Sequence, residues 1–343
     1  MSRRSRKRNS AARKTRIVRS CAVLMALAVY ATAGEWFVHH PRAWLDRYEK
    51  NYPAIAAALE FVGNPVADLT DSLGLTGTDC VYEYDTPAPS GEVFFAGAPR
   101  RNASPSPGDI RILDRGEYMV GWSDSLGHPA WVAYHVAKDA KYEAGKRPDF
   151  SRDVNVDASP LPSDYKNSGY DRGHMAPNHA IATRYGNAAQ RGTFLMTNVA
   201  PQTAELNRGP WRNLEHRIAD YWTSRYGEIW VVVGGISPSP HTKSIAGGRI
   251  DVPESFYMVI VAQEEYDVRA LAVVLPQEIE YDAYPARYLV SIDDLEELTG
   301  LDFLPDLPEF ISSPLESQLP TRLWPVRFAD IIPQIALKYS KAF

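Results

Sequence analysis

Asp171-Arg172-Gly173-His174-Met175-Ala176-Pro177-Asn178 is the stretch on which the reading of this chain turns. It sets an imidazole two residues from a guanidinium, with a glycine between them that lets a ligand come close to the backbone. With an ordinary pKa of about 6.5, such an imidazole is mostly neutral at neutral to mildly alkaline pH and ready to accept a proton. His174 is therefore a candidate general base and Arg172 a candidate anion contact.

Downstream, Asn198-Val199-Ala200-Pro201-Gln202 follows a strand-like run, and Asn207, Trp211 and Glu215 then recur at steps of four. Helical spacing is clearest from Leu206 to Tyr226, where Leu206, Trp211, Leu214, Ile218, Tyr221 and Trp222 share an inner face. On one helix Asn207 and Glu215 fall along a slowly drifting stripe. Asn207, near the helix start, can offer an oxygen to a metal, and Glu215 can hold a metal-bound water. A neutral ligand leaves the cation's charge undiminished, and Mg²⁺ keeps several waters and few protein ligands. Base, guanidinium and metal together meet the needs of phosphodiester hydrolysis. Plainer readings stand beside these: Asn207 as a helix N-cap, Glu215 paired with Arg212, and Arg172 partnered with Asp171.

The surrounding pattern predicts short strands and irregular connections. Tyr118 to Trp122 and Trp131 to Val136 read as a hairpin. Phe194 to Thr197, Ile229 to Val233, Phe256 to Val261 and Val268 to Leu275 read as further partly buried strands. Residues 291 to 304 predict a short helix, as do Phe328 to Tyr339 near the C-terminus and one or two segments between Pro41 and Leu75. Strands and helices do not alternate regularly, so the expected class is α+β with a mainly antiparallel sheet. The expected organisation is a leader over 1–33, a helical extension over 34–85, a linker over 86–110, a main domain over 111–312 and a helical tail over 313–343.

Taken in order, Asp171-Arg172-Gly173-His174-Met175-Ala176-Pro177, Asn198-x-x-Pro201-Gln202 and Leu206-Asn207 with Trp211 and Glu215 resemble the DNA/RNA non-specific endonucleases. The similarity extends from about Tyr118 to Leu307, including Pro129 to Tyr134 and Ser291 to Leu301. The resemblance implies a ββα-metal (His-Me finger) motif, with the base on the β part and the metal ligand on the following helix. It implies His174 as general base, Asn207 as the direct ligand of Mg²⁺ (Mn²⁺ substituting), and Glu215 as the carboxylate holding the metal's water shell. Arg172 then contacts phosphate, Arg147 matches an upstream phosphate-binding arginine with Arg152 as the alternative, and Asn198 orients the base or the metal waters. Substrates would be DNA and RNA, cut to 5′-phosphorylated oligonucleotides.

Composition qualifies this. The 343 residues carry a net charge of −5, yet residues 1–33 hold nine Arg/Lys and no Asp/Glu; removing those nine charges leaves −14 for the remainder. Binding a polyanion to an acidic body requires local clustering, for which Lys138, Lys141, Lys146, Arg147, Arg172, Arg184, Arg208 and Arg212 are the candidates. The same charge balance leaves open a hydrolase of small phosphodiesters; a catalytically silent module that binds nucleic acid or a partner on the same scaffold is the other alternative, against which the intact His174, Asn207 and Glu215 argue. Ser2 to Arg19 is basic, Cys21 to Ala33 apolar, and Ala31-Thr32-Ala33 has a small-x-small pattern, which together read as an export signal. An uncleaved membrane anchor through residues 17–38 is the second reading; a mitochondrial presequence fits the compact apolar block less well. Outside the leader only Cys80 remains, so the body has no intramolecular disulfide. Trp211 and Trp222 are expected in the core, and His179, His216 and His241 as ordinary polar residues.

Overall fold

A computed structural model describes residues 81–83, 91–102, 110–237, 243–264 and 267–324, all within one compact unit, Thr78–Val326. The expected leader, the helices of residues 41–75 and the C-terminal helix of residues 328–339 lie outside the described residues.

The first strands are β1 (Val81–Glu83), β2 (Arg100–Arg101), β3 (Ile110–Asp114), β4 (Tyr118–Ser123) and β5 (His128–Val136). β4 and β5 form the expected hairpin, with a register shift between Gly121 and Trp122. Next come β6 (Asp171–His174), β7 (Val199–Gln202) and β8 (Ile229–Ile236). Two short strands, β9 (Ser244–Ile245) and β10 (Ile250–Asp251), precede β11 (Ser255–Glu264) and β12 (Asp267–Pro276); β13 (Leu289–Val290) and β14 (Leu301–Asp302) follow. The main sheet is ordered β1-β12-β11-β8-β5-β4-β3, with β13 also on β12, and every pairing is antiparallel. This is the expected α+β architecture.

Both faces of this sheet are covered, which explains why its central strands are apolar on both sides of their alternation. In β11, Tyr257, Val259 and Val261 join Trp131, Ala133, Ala270 and Ala272 in a core cluster. Two helices close that cluster, Ile292–Thr299 through Ile292 and Leu295, and Glu309–Ser317 through Ile311 and Leu315. Ser291 caps the first of them by accepting a hydrogen bond from Asp294 N. On the other face Phe256 meets Trp211 edge to face, ring centroids 5.8 Å apart.

The helices on that second side carry the candidate site. Here α1 is Asn178–Thr193, α2 is Ala204–Arg208, α3 is Pro210–His216, a π-helical segment covers Arg217–Trp222, and α4 is Thr223–Tyr226. The single helix expected from Leu206 to Tyr226 is thus divided. Pro210 opens α3, and the residue before a proline is steered out of the helical region, so the chain turns at Gly209. A side chain at Gly209 would press on the carbonyls of Tyr281 and Glu205. Gly209→Ala is accordingly expected to destabilise the fold by about 1–3 kcal/mol, read as a lower thermal midpoint, and to lower activity by separating Asn207 from Glu215. An unchanged midpoint would contradict this reading of the turn.

Other segments differ from expectation in physically simple ways. The apolar run at Phe194 to Thr197 is the end of α1 followed by a 3-10 turn, Met196–Asn198, and the strand begins at Val199. The stretch expected as a linker contributes Val93, Phe95 and Ala96 to the core, and β2 pairs with β14. Beyond residue 312, Leu323 and Trp324 are buried, and Trp222 donates to the Trp324 carbonyl at 3.0 Å. The folded unit therefore extends past 111–312 at both ends.

Candidate active site

β6 and β7 pair antiparallel, Asp171 opposite Gln202 and His174 opposite Val199. Alternation along β6 sends Arg172 and His174 to one side and Gly173 to the other, where a side chain would collide with buried Gln202. Just past the strand, Asn198 fixes the backbone. Its Oδ1 accepts from Ala176 N at 2.9 Å, and its Nδ2 donates to the carbonyls of Ala176 at 3.0 Å and Thr193 at 2.9 Å. Asn198 is fully buried and does not line the cleft, so it reaches His174 only through the backbone beside it.

A cleft of about 470 Å³ opens between β6, the start of α1, and α2–α3. His174, Arg172, Arg147, Asn207 and Glu215 all line it. The His174 ring lies 5.0 Å from Phe150 and edge-on to Phe194 at 4.8 Å. Burial, reinforced by the charges of Arg147 and Arg172, pushes its pKa down to about 3, so the ring is neutral throughout the physiological range. Its Nε2 is enclosed with no hydrogen-bond partner among the described residues, which leaves Nδ1 as the nitrogen open to the cleft.

The two arginines stand on the same aromatic wall. Arg172 lies over Phe150 at 4.6 Å and Arg147 over Phe194 at 5.5 Å. Arg152, the alternative to Arg147, instead donates to the Asp157 carbonyl and is not part of the cleft. Asp171 is held not by Arg172 but by Arg208, through bonds of 2.8 and 2.7 Å. The same carboxylate accepts from Asn207 Nδ2 at 2.9 Å, which turns the amide so that Oδ1 is the atom left for a ligand. The helix cap is Thr203, whose hydroxyl accepts from Leu206 N, and Asn207 sits at the far end of α2.

Burial raises the Glu215 pKa to about 7 from its ordinary 4.5, against the opposing charges of His216, Arg212 and Arg147. A folded-state value raised in this way stabilises below 4.5 and loses that stability as pH climbs through 7. Ionising Glu215 without a cation costs at most about 3 kcal/mol, less where the carboxylate touches water in the cleft. In EDTA, Glu215→Gln should raise the thermal midpoint relative to wild type at pH 8 and not at pH 4; an equal shift at both values would contradict the assignment.

Sequence reasoning missed Phe150 and Phe194 as walls of the site, and a small cluster at its rim. His179 Nε2 and His216 Nδ1 both bond to Asp220, at 3.0 and 2.9 Å. Spacing of four between His216 and Asp220 was a visible signal; the approach of His179 from α1 was not. Of the eight basic candidates, Arg147, Arg172, Arg208 and Arg212 line the cleft. Lys138, Lys141 and Lys146 are exposed outside its lining. Arg184 is buried and donates to the carbonyls of Ala137 and Ala219, a structural role.

Residues 97–310 match the family model described as DNA/RNA non-specific endonuclease. The chain belongs to the DNA/RNA non-specific endonucleases. Membership makes it a hydrolase of the nuclease class, of a metal-dependent type. It is 32% identical over 224 residues to a protein named Nuclease from Nostoc sp. (strain PCC 7120 / SAG 25.82 / UTEX 2576), covering 62% of this chain and 79% of that one. It is 29% identical over 217 residues to mitochondrial Endonuclease G of Homo sapiens, covering 59% and 72%. Against mitochondrial Nuclease EXOG of Xenopus laevis the identity is 32% over 207 residues, and the chain spans 57% of that relative's length. Among solved structures, a chain of the EndoG/EndoGI complex superposes with a TM-score of 0.54 at 26% identity, over 60% of this chain and 95% of that one. The fold of this endonuclease is thus the ββα-metal nuclease fold, with β6, β7 and the helices after β7 as its ββα unit.

Proposed function

We propose that this endonuclease hydrolyses DNA and RNA without sequence preference in a Mg²⁺-dependent reaction that leaves 5′-phosphorylated products. The observation that carries the reading is the cleft itself: a neutral imidazole, two exposed guanidiniums, an amide oxygen and a buried carboxylate converge there. The donor set fits a hard cation. Asn207 Oδ1 would hold Mg²⁺ directly and Glu215 would hold it through water, with Mn²⁺ as substitute. When bound, the cation supplies charge for the phosphate and for the departing oxygen.

The remaining work falls to the chain. Arg172 and Arg147 grip the phosphate under attack. His174 takes the proton from the attacking water at Nδ1; as the new P–O bond forms, the P–O3′ bond breaks and the departing O3′ takes a proton from solvent water, leaving a 5′-phosphate and a 3′-hydroxyl. Phe150 and Phe194 keep solvent from the back of the imidazole and hold it neutral. Asp171, anchored by Arg208, keeps the Asn207 amide turned for its ligand. Asn198 sets the backbone that presents the base.

End analysis tests the reading: digests of plasmid, single-stranded DNA and RNA should accept label at their 5′ ends only after phosphatase treatment. Fragments that label without phosphatase, or cleavage confined to a small phosphodiester, would overturn it. Export is proposed on the sequence of residues 1–33 alone, with cleavage after Ala33; an intact mass retaining Met1 to Ala33 in the mature protein would contradict the cleavage.

A further inference from the structure

Arg147, Arg172 and Arg212 all line the cleft with exposed side chains, and none makes a hydrogen bond or ion pair among the described residues. Three guanidiniums gathered in one place repel one another, and that cost falls when anions arrive. Arg147 and Arg172 have aromatic rings beneath them and flank the base. Arg212 stands apart. It shares a face of α3 with Glu215 and His216, three and four residues on.

The three charges are distributed along the cleft. Arg172 acts on His174, Arg212 acts on Glu215, and Arg147 acts on both. Asp220, the next acidic side chain after Glu215 along this helical run, does not line the cleft and is bonded to His179 and His216. Arg212 therefore faces the cleft beside Glu215, while Asp220 is engaged by the two histidines. At about 470 Å³ the space suits a ligand of several groups better than a lone phosphate.

We propose that Arg212 holds a second phosphate of the substrate, next to the one gripped by Arg172 and Arg147, so that the cleft selects chains with at least two consecutive phosphates over an isolated phosphodiester. This rests on the nuclease reading and narrows its substrate to oligonucleotides. Arg212 would contribute through binding, visible in KM.

The test compares three substrates of the full chain with Mg²⁺: thymidylyl-thymidine, which has one phosphate, and the same dinucleotide with an added 5′- or 3′-terminal phosphate. One of the two phosphorylated forms should show a KM about tenfold lower than the parent. Arg212→Gln should close that gap, and Arg212→Lys should restore part of it. No gap in wild type, or a gap that persists in Arg212→Gln, overturns the proposal. If plasmid DNA, run beside them, is also left uncut, the nuclease reading fails instead; calorimetric affinities for the dinucleotides read the subsite whether or not they are cut, and equal affinities for all three overturn it as well.

Discussion

Replacing His174 with alanine should lower cleavage of plasmid DNA by about 10²–10⁴-fold, with the thermal midpoint at neutral pH little changed or raised. Loss of activity follows from removing the one imidazole, among the described residues, packed against the aromatic wall beside Arg172 and Arg147. The stability half follows from the cost of the ring's surroundings. Its Nε2 is buried without a partner among the described residues, and two guanidiniums oppose its protonation. A folded-state pKa depressed to about 3 from 6.5 means that stability is lost as pH falls through this interval, because the unfolded chain takes up the proton first. His174→Ala should therefore be less acid-sensitive than wild type between pH 6 and 4. A large fall in midpoint at pH 7 together with lost activity would instead make His174 a structural residue.

The second large effect is expected at Asn207. Asn207→Ala removes the amide oxygen assigned to the cation and should cost about 10²-fold or more in turnover, accompanied by weaker Mg²⁺ binding in calorimetry. Asn207→Asp keeps an oxygen but places a second carboxylate against Asp171, which now bonds the Asn207 amide at 2.9 Å. It should bind the metal yet recover only part of the activity. Full activity in Asn207→Ala with unchanged metal affinity would remove this residue from the site.

How much of this was legible in the sequence differs from element to element. The strands at Ile229–Ile236, Ser255–Glu264 and Asp267–Pro276 are rich in β-branched and aromatic residues, and local preference agreed with burial. Helix α1 was not legible. Its buried positions include Ala180, Ala182, Thr183, Arg184 and Gln190, which give no apolar stripe, and it is interrupted at Gly186, where φ is 84°. The break at Gly209 was signalled by Pro210, but the step of four from Asn207 to Glu215 masked it. The site fared better than the fold because its chemistry lies in contiguous motifs: His174, Arg172, Asn207, Glu215 and Arg147 do share one cleft. Asn198 was found by its motif, while its position behind the cleft comes from the tertiary hydrogen bonds of its amide to the backbone of Ala176 and Thr193. Phe150 had no local signal, since its partners Arg172, His174 and Phe194 lie 22 or more residues away in sequence.

The acidic body becomes consistent with a polyanionic substrate once the arginines are placed. Arg147, Arg172, Arg208 and Arg212 are gathered at the cleft, and the remaining charge is spread elsewhere. Since such clustering neutralises only a few phosphates, binding depends on salt through those few contacts.

The central claim, that one cleft joins a His174 base to a metal held at Asn207, is tested most directly by plasmid cleavage under three conditions. These are wild type with Mg²⁺, wild type with EDTA, and His174→Ala with Mg²⁺. Rapid nicking in the first and near-complete loss in the other two is the predicted result; cleavage that survives both EDTA and the substitution would contradict it.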